Sequence, residues 1–144
     1  AFGILPKVAL LSHSNFGSSD WPSAIKMRDT LDILSRLAPE LEVEGEMHAD
    51  VAMQEDVRSR IFPNSRLTGR ANLLVFPNLD AAHISLKLLQ HVAGARSYGQ
   101  LILGLARPAA QVPRTVDEET IFGTAAAVAV EAIKYHQLYP DGGL

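Results

Sequence analysis

The sequence contains no cysteine. A disulfide scaffold, a thiol nucleophile and a thiolate metal site are therefore all excluded. No apolar run approaches the roughly 18 residues of a membrane span. The first residues lack the charged region and long apolar stretch of a secretory signal. Neither GxGxxG nor GxxxxGK[ST] occurs, so the two common phosphate-loop signatures are missing. Ser12 and Ser14 are not framed by a GxSxG elbow, which argues against a serine hydrolase of that type. Positive charge is not in surplus either. The formal net charge is −3, which argues against a general nucleic-acid surface. The expectation is a cytoplasmic protein with neither a nucleic-acid nor a membrane partner.

Apolar residues are plentiful, at 47%, and charged residues make up 20%, the balance of a globular chain. At 144 residues the length prior is one domain with a real core. The chain opens without Met and enters an apolar run within a few residues, as a piece of something longer does. The expected division is a folded part over 1–138 and a short tail over 139–144.

Lys7–Ser12 is a branched, non-alternating run, the pattern of a strand buried on both faces of a parallel sheet. The polar loop His13–Trp21 follows, and Pro22 suits the first position of a helix that carries Met27, Leu31 and Leu34 on one face until Pro39. Strand, polar Gly/Ser loop and helix start form a layout that can hold phosphate on backbone N–H groups; an ordinary βα loop has the same pattern. Leu41–Glu46 alternates apolar and acidic residues and predicts a more exposed or edge strand. Two short helical pieces, Met47–Met53 and Glu55–Ile61, end at Pro63. A basic loop over 64–71 then feeds a strand at Asn72–Phe76, a turn at Pro77, and a helix capped by Asn78 that stops near Gly94. Gln100–Leu105 predicts a further core strand, 107–114 an extended loop, and a last helix begins near Thr115 or Val116 with Asp117, Glu118 and Glu119 in its first turn. The apolar stripe of that helix is wide enough to predict cover on more than one side. The sum is a three-layer α/β/α sandwich around a mostly parallel sheet. Its loops 13–21, 77–80 and 106–114 would share the edge where ligands bind in such sheets.

Several groups could carry chemistry there. His83, Lys87 and His91 recur every fourth residue and form one row on their helix. Such a row suits a polyanion or a solvated face. The two histidines lie roughly 12 Å apart along the axis, too far to share a metal ion, and no metal site is expected. Arg66, Arg70, Arg107 and Arg114 lie in or beside loops, where arginine forks suit phosphate and carboxylate. Loop arginines are also ordinary surface residues. The run Asp117–Glu119 reads as a carboxylate cluster or as a favourable helix start. No complete catalytic constellation emerges.

Read in order, SHSNFGSS after KVALL, EGEMHADVA, SRLTGRANLLVFPNLDAA, KLLQ and QLILGLARP resemble the C-terminal half of phosphotransacetylases. They most resemble the phosphotransacetylase-like domain of bacterial NADP-dependent malic enzymes. The resemblance spans nearly the whole chain, and it implies the isocitrate/isopropylmalate dehydrogenase-like fold. Phosphotransacetylases move an acetyl group between coenzyme A and phosphate. Their C-terminal region carries a serine–arginine pair before the last helix and an aspartate about a turn later. Here Arg114 keeps the arginine, Pro113 stands at the serine position, and Thr120 (or Glu119, with a slip of one) stands at the aspartate position. Losing one transition-state donor costs roughly 10²–10³ in rate, so turnover is not expected. The resemblance places Lys87 and His91 near the nucleotide end of coenzyme A, and the ligand-binding set it implies is Lys87, His91, Arg114, Ser14, Asn15 and Gln111. It implies acetyl-CoA as an effector and a homo-oligomer, dimer or higher. NADP and a divalent metal would belong to an upstream part of the parent. An active acetyltransferase and a purely structural dimerisation module are the alternatives.

Overall fold

The computed structural model describes residues 3–140, so residues 141–144 of the expected tail lie outside the described residues. The chain forms two compact units, one over residues 5–87 and one over the residues before Leu5 together with 88 onward.

In the larger unit, β1 (Lys7–Leu11) is the centre of a three-stranded parallel sheet. It pairs with β2 (Glu42–Met47) on one side and β3 (Leu73–Val75) on the other. Successive residues of a strand point to opposite faces, and β1 shows this directly. Val8 and Leu10 pack with Met27 and Val43, against Leu31 and Leu34 of α1 (Pro22–Leu37). Ala9 and Leu11 pack with Met47, Val51, Ala52, Leu67 and Ala71 on the other face. There α2 (Ala49–Met53) and α3 (Glu55–Ile61) supply the cover. Helices on both faces of a parallel sheet are the expected three-layer α/β/α arrangement, and burial on both faces explains the non-alternating β1.

The acidic strand departs from expectation. β2 is an edge strand, yet Glu44 and Glu46 are buried. The segment after α3 covers this edge: the amide of Arg66 donates to Glu44 Oε2, and the amide and hydroxyl of Thr68 donate to Glu42. One oxygen of Glu46, Oε1, is met by the loop after β1 and by Arg28. Burial of these carboxylates rests on donors that the strand's own alternation does not reveal.

α4 (Leu79–His91) starts as expected, with the Ala81 amide donating to Asn78 Oδ1 at 2.8 Å. In the smaller unit, β4 (Gln100–Ile102) is not a further core strand of the parallel sheet. It pairs antiparallel with β5 (Ala109–Gln111), inside what the sequence suggests is loop, and Ile102 stays exposed. Only six residues join the two strands, enough for a hairpin and too few for a parallel crossover. α5 (Glu118–Leu138) begins two or three residues later than expected, because Asp117 is its cap: the Thr120 amide donates to Asp117 Oδ1 at 2.8 Å. Among its described residues only Thr124 is buried. Tyr98 lies against Gly123, where an added Cβ would come within 2.2 Å of the ring.

Candidate functional site

The loop after β1 lies at the carboxyl edge of the parallel sheet and is organised by one buried carboxylate. Glu46 Oε1 accepts from Ser14 Oγ at 2.6 Å, from the Gly17 amide at 3.0 Å and from Arg28 Nη1 at 3.0 Å. Arg28 reaches back to the loop as well, through Ser19 O at 2.8 Å and Asp20 Oδ1 at 3.0 Å. Burial pushes the Glu46 carboxyl up, but the Ser14 and Gly17 hydrogen bonds and the Arg28 charge outweigh it and hold it below the ordinary carboxylate range. Its other oxygen, Oε2, has no hydrogen-bond partner among the described residues.

The loop's amides are used internally. Ser14 N–H donates to Ser12 Oγ, Asn15 N–H to Ser18 Oγ, Phe16 N–H to Glu46 O, Gly17 N–H to Glu46 Oε1 and Ser18 N–H to Asn15 O. Phe16 and Gly17 both have positive φ, 46° and 88°, which folds the chain back over Glu46 and is why glycine suits the second position. Phe16 is held in this conformation by stacking on Phe62, with centroids 4.3 Å apart. An amide cradle for phosphate needs free N–H groups, and residues 14–18 offer none.

The expected ligand residues occupy three places. Ser14 is fully buried on Glu46, and Asn15 Oδ1 accepts from the His48 amide at 2.8 Å, so both side chains serve the loop. Lys87 and His91 are exposed one turn apart on α4, with His83 one turn earlier. Gln111 ends β5, and Arg114 is exposed three residues later, beside the exposed Pro113. At Glu119 the carboxylate pairs with Arg96. Thr120 lies in the first turn of α5, below its Asp117 cap. The hydrogen bonds from Thr120 hold the Asp117 carboxyl below its ordinary range.

The loop arginines divide in the same way. Arg66 donates to Pro39 O and Leu41 O, at the beginnings rather than the ends of the parallel strands. Arg70 is exposed. Arg107 lines a cleft of about 260 Å³ in the smaller unit with Leu101, Leu105, Val128, Lys134 and Tyr135. Arg58, which sequence reasoning passed over, is 1% exposed, and its guanidinium donates to Val51 O, Ala52 O, Leu67 O and Gly69 O. Its charge caps the C-terminal end of α2 and fixes the loop before β3. No group of three or more metal-ligating side chains occurs among the described residues, nor any helix long and apolar enough to cross a membrane.

The family model of phosphate acetyl/butaryl transferase matches residues 1–129. The chain is 49% identical over 131 residues to an NAD-dependent malic enzyme of Rhizobium meliloti (strain 1021), covering 91% of this chain and 17% of the relative. It is 46% identical over 132 residues to an NADP-dependent malic enzyme of Escherichia coli (strain K12), with the same two shares. A phosphate acetyltransferase of Paracoccus denitrificans is 40% identical over 126 residues, or 88% of this chain and 40% of the relative. The EutD phosphotransacetylase from Staphylococcus aureus superposes with a TM-score of 0.83 at 32% identity, over 91% of this chain and 41% of that one. The chain thus spans about a sixth of the length of the malic enzymes it matches and two fifths of the acetyltransferase. With a family match over residues 1–129 and a superposition at a TM-score of 0.83, the chain belongs to the phosphate acetyl/butaryl transferase family.

Proposed function

We propose that this chain is the regulatory, acetyl-CoA-sensing and oligomerising part of a malic enzyme, without acetyltransferase turnover of its own. The observation that carries the reading is a pairing. The likeness to malic enzymes runs over 91% of the chain, while Pro113 and Thr120 stand where the resemblance calls for a hydroxyl donor and a carboxylate. Basic side chains that suit a nucleotide's phosphates remain exposed at Lys87, His91 and Arg114. A protein that keeps the anion-binding groups and lacks the reacting ones holds a ligand without turning it over.

The parent reaction under this reading is oxidative decarboxylation of malate to pyruvate, with the nicotinamide cofactor and divalent metal held upstream. The relatives include NAD-dependent and NADP-dependent enzymes, so the likeness does not choose the cofactor. Regulation requires acetyl-CoA to favour one assembly state over another. Self-association is supported by exposed Leu88, Val92, Phe122 and Ile133. A cytoplasmic setting fits such a parent.

Calorimetry with acetyl-CoA on a chain extended to include the rest of the domain tests the proposal, and no heat at millimolar ligand refutes it. An active phosphate acetyltransferase is the second reading, favoured by the 40% identity to the Paracoccus enzyme. Thiol release from acetyl-CoA and phosphate by the same extended chain distinguishes the two.

A further inference from the structure

The loop 13–19 closes on itself at two side chains that neither its amide network nor the proposed ligand site uses. His13 Nε2 lies 3.2 Å from Ser19 Oγ. The Trp21 amide donates to Ser19 Oγ at 3.3 Å, so this hydroxyl accepts one hydrogen bond and can donate its own proton to His13 Nε2 in the tautomer that leaves this nitrogen unprotonated. That polarity, serine to histidine, is what a general base needs to activate a hydroxyl.

Both residues are held from behind. The carbonyl of His13 meets His48 Nε2 at 2.8 Å, and the carbonyl of Ser19 accepts from Arg28 Nη1 at 2.8 Å. Between them the turn is pinned to buried Glu46 through Ser14 and Gly17. The pair is reachable, because His13 is exposed and Ser19 only half-buried. Helix α1 begins at Pro22, directly after Trp21, which makes no side-chain cap hydrogen bond, and there is no acidic residue in its first turn. Its positive end is therefore near the hydroxyl in sequence and not neutralised by a side chain of its own.

We propose that Ser19, with His13 as its base, is an acyl-acceptor site for activated acyl esters and thioesters. In the step, Ser19 Oγ attacks the acyl carbonyl carbon and a new C–O ester bond forms. The bond from that carbon to the leaving oxygen or sulfur breaks, and the leaving group departs with the electron pair. The serine proton passes to His13 Nε2 and from there to the leaving group. No oxidant, metal or further reactant is needed. The site is independent of acetyl-CoA binding at Lys87, His91 or Arg114, so loss of that binding does not touch it.

The test uses p-nitrophenyl acetate on the 144-residue chain, with nitrophenolate release followed by absorbance and the product mapped by peptide mass spectrometry. The expected result is one acetyl group on Ser19, released with one equivalent of nitrophenolate. Ser19→Ala removes that label. His13→Asn and His13→Gln each slow its formation roughly 10²-fold or more, with unchanged circular dichroism. The wild-type map decides the matter even if a variant unfolds. Label spread over lysines, label on the His13 ring, or an unchanged rate in a folded His13 variant overturns the proposal.

Discussion

Ser14 Oγ and Glu46 Oε1 lie 2.6 Å apart, and neither residue has any exposed surface. A serine after the first strand and a glutamate at the end of the second thus form one buried, charge-assisted hydrogen bond. Through Gly17 and Arg28 the same carboxylate oxygen fixes the rest of the loop. Glu46→Ala removes the acceptor and leaves the Ser14 hydroxyl and the Gly17 amide without it. The expected cost is roughly 2–4 kcal/mol, read as a lower urea midpoint. A midpoint within error of wild type contradicts the assigned role.

Acid should undo the same contacts. Glu46, Glu42 and Asp117 are all held below their ordinary values, Glu42 chiefly by the side-chain and amide hydrogen bonds of Thr68. A depressed carboxylate stabilises the fold above its unfolded pKa, and this contribution is lost as pH falls through the folded value. For Glu46 and Glu42 the loss therefore begins below about pH 4.5, the ordinary value for glutamate. Denaturation followed from neutral pH to pH 3 should show a falling midpoint, and Glu46→Gln should flatten that slope. An identical slope in the variant places the acid sensitivity elsewhere.

Arg58 is a buried positive charge. Its fork meets four carbonyls, and Lys, with three N–H donors on one compact nitrogen, cannot match that spread. Arg58→Lys and Arg58→Met are both expected to destabilise the larger unit, by about 3 kcal/mol for Met. Amides of the segment 66–69 should exchange faster with solvent in both variants. Full stability in Arg58→Lys would show that charge alone suffices.

In the smaller unit the informative contact is Tyr98 against Gly123. Gly123→Ala sets a Cβ within 2.2 Å of the ring, so the ring must move. The expected cost is about 1–2 kcal/mol, and Tyr98→Ala should cancel most of it in the double variant. Additive losses in the thermal midpoints argue that the two residues are not in contact.

The proposed ligand function makes a prediction about chemistry. In the extended domain, Lys87→Ala with His91→Ala should weaken acetyl-CoA binding about tenfold, with a shallower dependence on salt. Pro113→Ser with Thr120→Asp should raise thiol release without tightening binding. Equal affinity in the first variant removes α4 from the ligand site.

Much of the larger unit is legible from the chain. The uninterrupted run Lys7–Leu11, Pro22 at a helix start and Asn78 before α4 each act locally, so periodicity and capping chemistry suffice. What escapes is long-range. The alternation in Glu42–Met47 suggests a solvated face, because the donors that bury Glu44 and Glu46 lie 22 and 32 residues away in Arg66 and Ser14. Gln100–Ile102 is a strand as the sequence suggests, but its partner direction depends on a hairpin that composition does not mark. At the candidate site, Ser14 and Asn15 are polar loop residues as expected, yet the structure uses both to build the loop. Arg28 and Arg58 lie outside the blocks that resemble the family, and Glu46 lies inside one without a role assigned to it. Their roles come from burial, which one-dimensional spacing does not encode.

The two loops that most resemble signatures of the family meet opposite ends of the same short strands. Residues 66–69 are tied to Glu42, Glu44, Arg58 and Lys7 where the strands begin, and residues 14–19 are tied to Glu46 and Arg28 where they end. Neither set of ties shares a side chain with the other. Sequence drift in one loop is therefore not felt as strain in the other. A lineage can refashion what the ligand edge presents, hydroxyl by hydroxyl, while the opposite edge keeps the register of the sheet.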